Sequence, residues 1–170
     1  MDIKSKIRSI KDFPQEGIIF RDITTLLLDS DGLQETIDLF EKELKGLEFD
    51  YIAGAESRGF IFGMPLAYKL KKGFIPVRKA GKLPGEVLSK SYDLEYGQAT
   101  IEIHKDALKT GDKVVFIDDL IATGGTAKAA CELLEDTGAK VEKLVFLIEL
   151  EALDGKKALD KYSVSSLVSY

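Results

Sequence analysis

Val114-Val115-Phe116-Ile117-Asp118-Asp119-Leu120-Ile121-Ala122-Thr123-Gly124-Gly125-Thr126-Ala127 decides the fold. Its four leading apolar residues, β-branched among them, read as a buried strand. Two adjacent carboxylates follow where that strand should end. A loop of small residues comes next, and then an amphipathic helix from about 127 to 136, with Ala130, Leu133 and Leu134 on one side.

These parts suit a sugar phosphate. Gly124 and Gly125 let the backbone turn tightly and approach a ligand. Thr123 and Thr126 supply hydroxyls, and the N–H groups and dipole of a helix start favour a phosphate dianion. Asp118 and Asp119 would repel phosphate, but they can accept hydrogen bonds from ribose hydroxyls. The loop lacks the Gly-Lys-Ser/Thr ending of a nucleoside-triphosphate P-loop and the Gly-x-Gly-x-x-Gly dinucleotide pattern. The bland alternative is a strand-to-helix turn capped by Thr. It is disfavoured because acid pair and phosphate-type loop coincide at a strand's C-terminal end.

Outward from this stretch, strands and helices alternate. Residues 51–55 and 74–77 read as strands, and 33–44 and 60–70 as helices, with Pro65 a local irregularity. Later strands fall at 141–150 and 164–168. Residues 91–94 and 99–104 alternate around Glu95-Tyr96-Gly97 as a hairpin, preceded by a Gly/Pro loop over 80–90. Ile3, Ile7 and Ile10 predict a short helix over 2–10. Pro14 and Gly17 predict a loop over 13–23, pinned against the core by its apolar residues. The alternation argues for an α/β fold with a mostly parallel central sheet flanked by helices on both faces. Three loops then gather at the strand ends: 56–59, 78–82 and 118–126.

At 170 residues the chain is read as one domain. Its net charge of −5 gives no general attraction to nucleic acid or membrane. Basic groups must therefore act locally, and Arg58, Arg78, Lys79 and Lys82 fall in two of the three loops. Arg offers a planar fork to phosphate oxygens, and Lys a compact charge. Cys131, the only cysteine, excludes an intrachain disulfide and fits a reducing, cytoplasmic setting. It reads as an inert buried thiol, and His104 as a surface or edge residue. No signal peptide, membrane-length apolar run or Cys/His zinc spacing is present.

The acid-pair loop resembles the phosphoribosyl-pyrophosphate signature of type I phosphoribosyltransferases. Four further stretches are Phe20-Arg21-Asp22-Ile23, Glu56-Ser57-Arg58-Gly59-Phe60, Arg78-Lys79-Ala80-Gly81-Lys82-Leu83-Pro84 and Tyr92-Asp93-Leu94-Glu95-Tyr96-Gly97. Together the five are similar, in order and spacing, to the adenine phosphoribosyltransferase family, from about residue 10 to 150. Glu16-Gly17 stands where that family usually has Pro-Gly.

The resemblance implies a reaction of purine salvage: adenine and phosphoribosyl pyrophosphate give AMP and pyrophosphate. It implies magnesium held mainly by substrate and water, with no direct protein ligand, and a homodimer. It implies a type I fold with a small hood over 1–30 and a flexible flap over 80–100. Ala122, Thr123, Gly124, Gly125 and Thr126 would hold the 5′-phosphate, and Asp118 and Asp119 the ribose. Glu56, Ser57, Arg58, Arg78, Lys79 and Lys82 would meet the diphosphate. Ile19, Phe20, Arg21 and Leu120 would surround adenine. Glu95 would be the acid/base residue and Tyr96 part of the flap. The Glu56–Ser57 peptide is expected to be cis or strained, turning amides toward the diphosphate. Two rivals stay open: a related transferase for xanthine, hypoxanthine or orotate, and a regulator that senses phosphoribosyl pyrophosphate without turnover.

Overall fold

The computed structural model describes residues 2–94 and 96–170. Strand β1 (Arg8–Lys11) pairs antiparallel with β2 (Ile19–Asp22) as a two-stranded hood. Helices α1 (Thr24–Leu28) and α2 (Ser30–Glu43) lead to β3 (Tyr51–Ala55). Then follow α3 (Arg58–Leu70), β4 (Gly73–Lys79), β5 (Val87–Asp93), β6 (Gln98–His104), β7 (Lys113–Ile121), α4 (Gly125–Glu135), β8 (Lys140–Glu149) and β9 (Val164–Ser169).

The main sheet has the order β5-β6-β4-β3-β7-β8-β9. From β4 to β9 neighbouring strands run parallel, while β5 and β6 form an antiparallel hairpin added at the β4 edge. Alternation along β7 explains the helices on both faces. Val114 and Phe116 point into a core with α4, and Val115 and Ile117 into a second core with α2 and α3. Phe40, Phe62, Phe116 and Phe146 are fully buried in these layers. Each such side chain contributes roughly 1.5–3 kcal/mol through lost apolar exposure.

Four local expectations are corrected. Residues 2–10 are not one helix: a single 3₁₀ turn spans Ile3–Lys6, and β1 follows. Ile3 and Ile7 do bury, but residues 8–11 satisfy their backbone by pairing with β2 instead of continuing a helix. The segment 13–23 is correspondingly part strand. The hairpin begins at Val87, inside the stretch expected as loop, because seven consecutive residues find partners on β6. Finally, β7 does not stop at the acid pair but continues through it to Ile121, paired with β8. Helix α3 runs on through Pro65.

Candidate active site

Strands β3 and β7 lie side by side and parallel, so their C-terminal ends open at the same edge. The turn after β3 and the loop after β7 consequently face each other. Between them is a cleft of about 440 Å³, lined by Glu56, Ser57, Arg58, Lys79 and an unbroken run from Asp118 to Ala127. The predicted 118–126 loop thus lines the cleft throughout, the 56–59 loop contributes Glu56, Ser57 and Arg58, and the 78–82 loop contributes Lys79.

The acid pair sits deep on β7. Asp119 is buried, and its backbone N–H donates to Asp118 Oδ1 at 2.8 Å. Burial, reinforced by the charge of Asp119, pushes the Asp118 carboxyl well above the ordinary carboxylate range. The start of α3 crowds against this carboxylate. A Cβ on Gly59 would lie 2.9 Å from Asp118 Oδ1 and 3.0 Å from the Ile117 carbonyl oxygen, so only glycine admits this approach. Arg58, beside it, places Nε 2.7 Å from Asp119 Oδ2.

The Glu56–Ser57 peptide is cis, as expected. Glu56 lines the cleft and also reaches β4. Its Oε2 accepts from Arg78 Nε at 3.0 Å and from the Lys79 backbone N–H at 2.9 Å. The Arg78 bond, with that of Lys79, holds the carboxyl below its usual range. An anion so engaged tethers the end of β4 and its two cations to the turn. Arg78 therefore joins the site through Glu56, whereas Lys82 is exposed and outside the cleft lining.

The loop after β7 enters α4 through Gly124, whose φ of +84° favours glycine. The segment after β8 holds it from behind. A Cβ on Gly124 would meet the Gly155 carbonyl oxygen at 2.5 Å, and one on Gly155 would meet the Ala122 carbonyl oxygen at 2.3 Å. Gly155 opens a 3₁₀ turn (Gly155–Leu159) anchored by the fully buried Leu159. No motif announced this support, since glycine 31 residues beyond Gly124 carries meaning only once the two backbones touch.

The hood supplies the remaining predicted residues. Phe20 is half-buried, edge-on to Phe13 with ring centroids 5.2 Å apart, and the Arg58 guanidinium carbon is 6.0 Å from its ring centre. Ile19 is exposed, and Leu120 lines the cleft. The Arg21 side chain turns elsewhere: it stacks 3.9 Å from the Tyr170 ring centre and donates to Ser9 Oγ at 2.6 Å. Only its backbone is left for the base side. Tyr96 is exposed, and Glu95 lies outside the described residues. Sequence reasoning assigned no part to Tyr92, whose hydroxyl accepts a hydrogen bond from Thr126 at 3.1 Å.

Among the described residues no three His, Cys, Asp or Glu side chains converge as a metal cluster. The carboxylates that line the cleft are Glu56, Asp118 and Asp119; Glu56 Oε2 is already engaged by Arg78 and the Lys79 N–H, so the acid pair is the better offer to a hard cation. A larger groove, about 740 Å³, runs past Pro84 and His104; there His104 Nε2 is 2.9 Å from the Pro84 carbonyl oxygen. Cys131 is fully buried, and burial raises its thiol pKa, which suits an inert core residue.

Residues 25–168 match the family model described as phosphoribosyl transferase domain. An adenine phosphoribosyltransferase of Agathobacter rectalis is 62% identical over 99% of this chain and 97% of its own length. The crystal structure of adenine phosphoribosyltransferase from Thermoanaerobacter pseudethanolicus superposes with a TM-score of 0.96 at 52% identity, covering 99% of this chain and 98% of that one. The Saccharomyces cerevisiae enzyme, complexed with an imino-altritol bisphosphate and adenine, gives 0.95 at 42% identity, covering 98% and 97%. With the parallel sheet, the acid pair and the glycine loop in place, this likeness along the whole chain makes it a member of the adenine phosphoribosyltransferase family.

Proposed function

We propose that this chain transfers the phosphoribosyl group of phosphoribosyl pyrophosphate to adenine, giving AMP and pyrophosphate. The observation that carries the reading is one cleft in which the Asp118–Asp119 pair and the 122–126 loop stand opposite Arg58 and Lys79. A ligand with hydroxyls between two separated phosphate groups matches that charge pattern.

The loop and the first turn of α4 take the 5′-phosphate through backbone N–H groups and the Thr123 and Thr126 hydroxyls. Asp118 and Asp119 accept from the ribose hydroxyls. Arg58 and Lys79, with Arg78 and Lys82 behind them and the Ser57 turn beneath, receive the diphosphate. Ile19, Phe20, the Arg21 backbone and Leu120 flank the base. As the C1–O bond breaks, its electron pair leaves with the diphosphate, adenine N9 bonds to C1, and the N9 proton departs. Glu95 is the proposed partner for purine proton transfer, with Tyr96 beside it on the flap. The sugar passes through oxocarbenium character, so the protein's task is to stabilise the leaving charge and exclude water. Magnesium, held mainly by diphosphate oxygens and water near Asp118 and Asp119, would offset charge on the leaving group.

A cytoplasmic setting is supported by the single buried thiol, and no helix among the described residues is long and apolar enough to cross a membrane. A homodimer is supported by Ile61, Met64 and Tyr68, an exposed stripe on α3. Light scattering tests the dimer. The reaction is tested by pyrophosphate release with magnesium, phosphoribosyl pyrophosphate and one base at a time. Release with adenine alone is expected. Release only with hypoxanthine, xanthine or orotate would overturn the base assignment. Binding of the sugar diphosphate without release would make the chain a sensor.

A further inference from the structure

Tyr92 opens the flap motif, yet it does not point to the flap tip. From β5 it packs half-buried against the core shared with α4. Its Oη accepts a hydrogen bond from Thr126 Oγ1 at 3.1 Å. Thr126 is the second residue of α4 and lines the cleft. A second tie joins the hairpin to the residue that caps the far end of the same helix, Lys90 Nζ to Asp136 Oδ2 at 2.9 Å. The phenol is therefore fixed relative to the helix start.

Each of these two hydroxyls has one proton to donate and lone pairs to accept with. An anion in the loop requires the Thr126 proton for itself. Tyr92 can then turn its own proton onto Thr126 Oγ1 without moving its ring. The result is a chain from the Tyr92 hydroxyl through the Thr126 hydroxyl to a phosphate oxygen. Hydrogen bonds in such a chain polarise one another and strengthen the terminal donor. Resting on the reading of the 122–126 loop as the 5′-phosphate site, we propose that Tyr92 is a positioning residue for that phosphate. It orients the Thr126 hydroxyl and reinforces it as a donor.

The test uses Tyr92→Phe, Thr126→Val and the double variant in the full-length protein. Steady-state rates give KM for phosphoribosyl pyrophosphate and for adenine, and AMP inhibition gives a product constant. Tyr92→Phe keeps the ring that packs on α4, so its melting temperature stays near that of the wild type. It should raise KM for phosphoribosyl pyrophosphate and the AMP constant together, by about three- to tenfold. KM for adenine should stay within about twofold. In the Thr126→Val background the same change should add nothing, because the relay is already cut. A Tyr92→Phe effect that adds fully in that background, or that falls equally on adenine, overturns the proposal. So does a normal Tyr92→Phe enzyme alongside an impaired Thr126→Val enzyme. If Thr126→Val itself alters neither constant for the phosphorylated ligands, the reading of the loop fails first.

Discussion

Arg58 and Asp119 are ion-paired across the cleft, Nε to Oδ2 at 2.7 Å, with the arginine half exposed and the aspartate nearly covered. The pair links the cation proposed for diphosphate with a carboxylate proposed for ribose. A diphosphate is the more highly charged partner and presents oxygens to the planar fork. Its arrival would draw Arg58 off Asp119 and release the carboxylate to the sugar hydroxyls. Arg58→Gln should raise KM for phosphoribosyl pyrophosphate by about tenfold or more, the range for a hydrogen bond to a charged group. Arg58→Lys should recover only part, since a point charge replaces the fork. Initial rates at saturating adenine decide it, and an unchanged KM would take Arg58 out of the site.

Asp118 yields a prediction with a definite pH sign. Burial first, and the Asp119 charge second, raise its folded-state pKa. The folded protein thus holds that proton more tightly than the unfolded chain. The contribution of Asp118 to stability is greatest below its unfolded pKa of about 4 and declines as pH rises through the raised value. Asp118→Asn should therefore gain melting temperature relative to the wild type as pH rises above about 4. It should show no such gain below that. Thermal melts across pH 3–8 of the two proteins would reveal a flat difference if the carboxyl is unperturbed.

The same carboxylates are proposed to bind ribose. Asp118→Asn combined with Asp119→Asn should weaken phosphoribosyl pyrophosphate binding while leaving a cooperative melt. Titration calorimetry measures the first and circular dichroism the second. Unchanged affinity would exclude the acid pair from substrate recognition.

Gly155 lies far from the loop in sequence and against it in space. In Gly155→Ala the new methyl would sit 2.3 Å from the Ala122 carbonyl oxygen and 2.8 Å from Ile121 Cγ1. Something must shift, and overpacking of this kind costs about 1–3 kcal/mol. A lower melting temperature is expected, with KM for phosphoribosyl pyrophosphate rising more than KM for adenine. Equal change in both constants would mean that the distortion spreads beyond the loop.

Asp22 anchors the hood. Its carboxyl accepts the Thr24 backbone N–H at 2.9 Å and pairs with Arg8. The Thr24 bond and then Arg8 lower its pKa to about 2. That stabilisation is complete above the unfolded value of about 4 and is lost as pH falls toward 2. Asp22→Asn should lower the melting temperature at pH 7 and leave it almost unchanged near pH 2. A deficit of equal size at both would assign its role to shape instead of charge.

Glu95→Ala tests the acid/base assignment, which rests on the resemblance alone. Turnover should fall while AMP affinity holds, the mark of a group acting in the transition state. Parallel losses in turnover and AMP binding would make Glu95 a binding residue.

The strands 51–55 and 114–117 and the loop 122–126 were legible because their signals are local. Apolar runs, paired acids and glycine at a strand-to-helix junction carry the same meaning wherever they occur. The sheet's parallel alternation followed from the spacing of those elements. The hood was less legible, because Ile3, Ile7 and Ile10 suit either a helical turn or a strand entry. Only pairing of residues 8–11 with 19–22 separates the two. Other facts belong to the tertiary structure alone. Glu56 lines the cleft and clamps Arg78 from there, Arg21 turns to Tyr170, Gly155 backs Ala122, and Tyr92 meets Thr126. Each joins residues more than 20 positions apart, and such contacts depend on how packed layers bring backbones within a few ångströms. Residue type alone sets charge, hydrogen-bonding capacity and backbone freedom, and so fixes which chemistry the chain can hold. Which of those groups line the cleft and which hold the others in place is a matter of direction and distance, and these arise only when the layers pack.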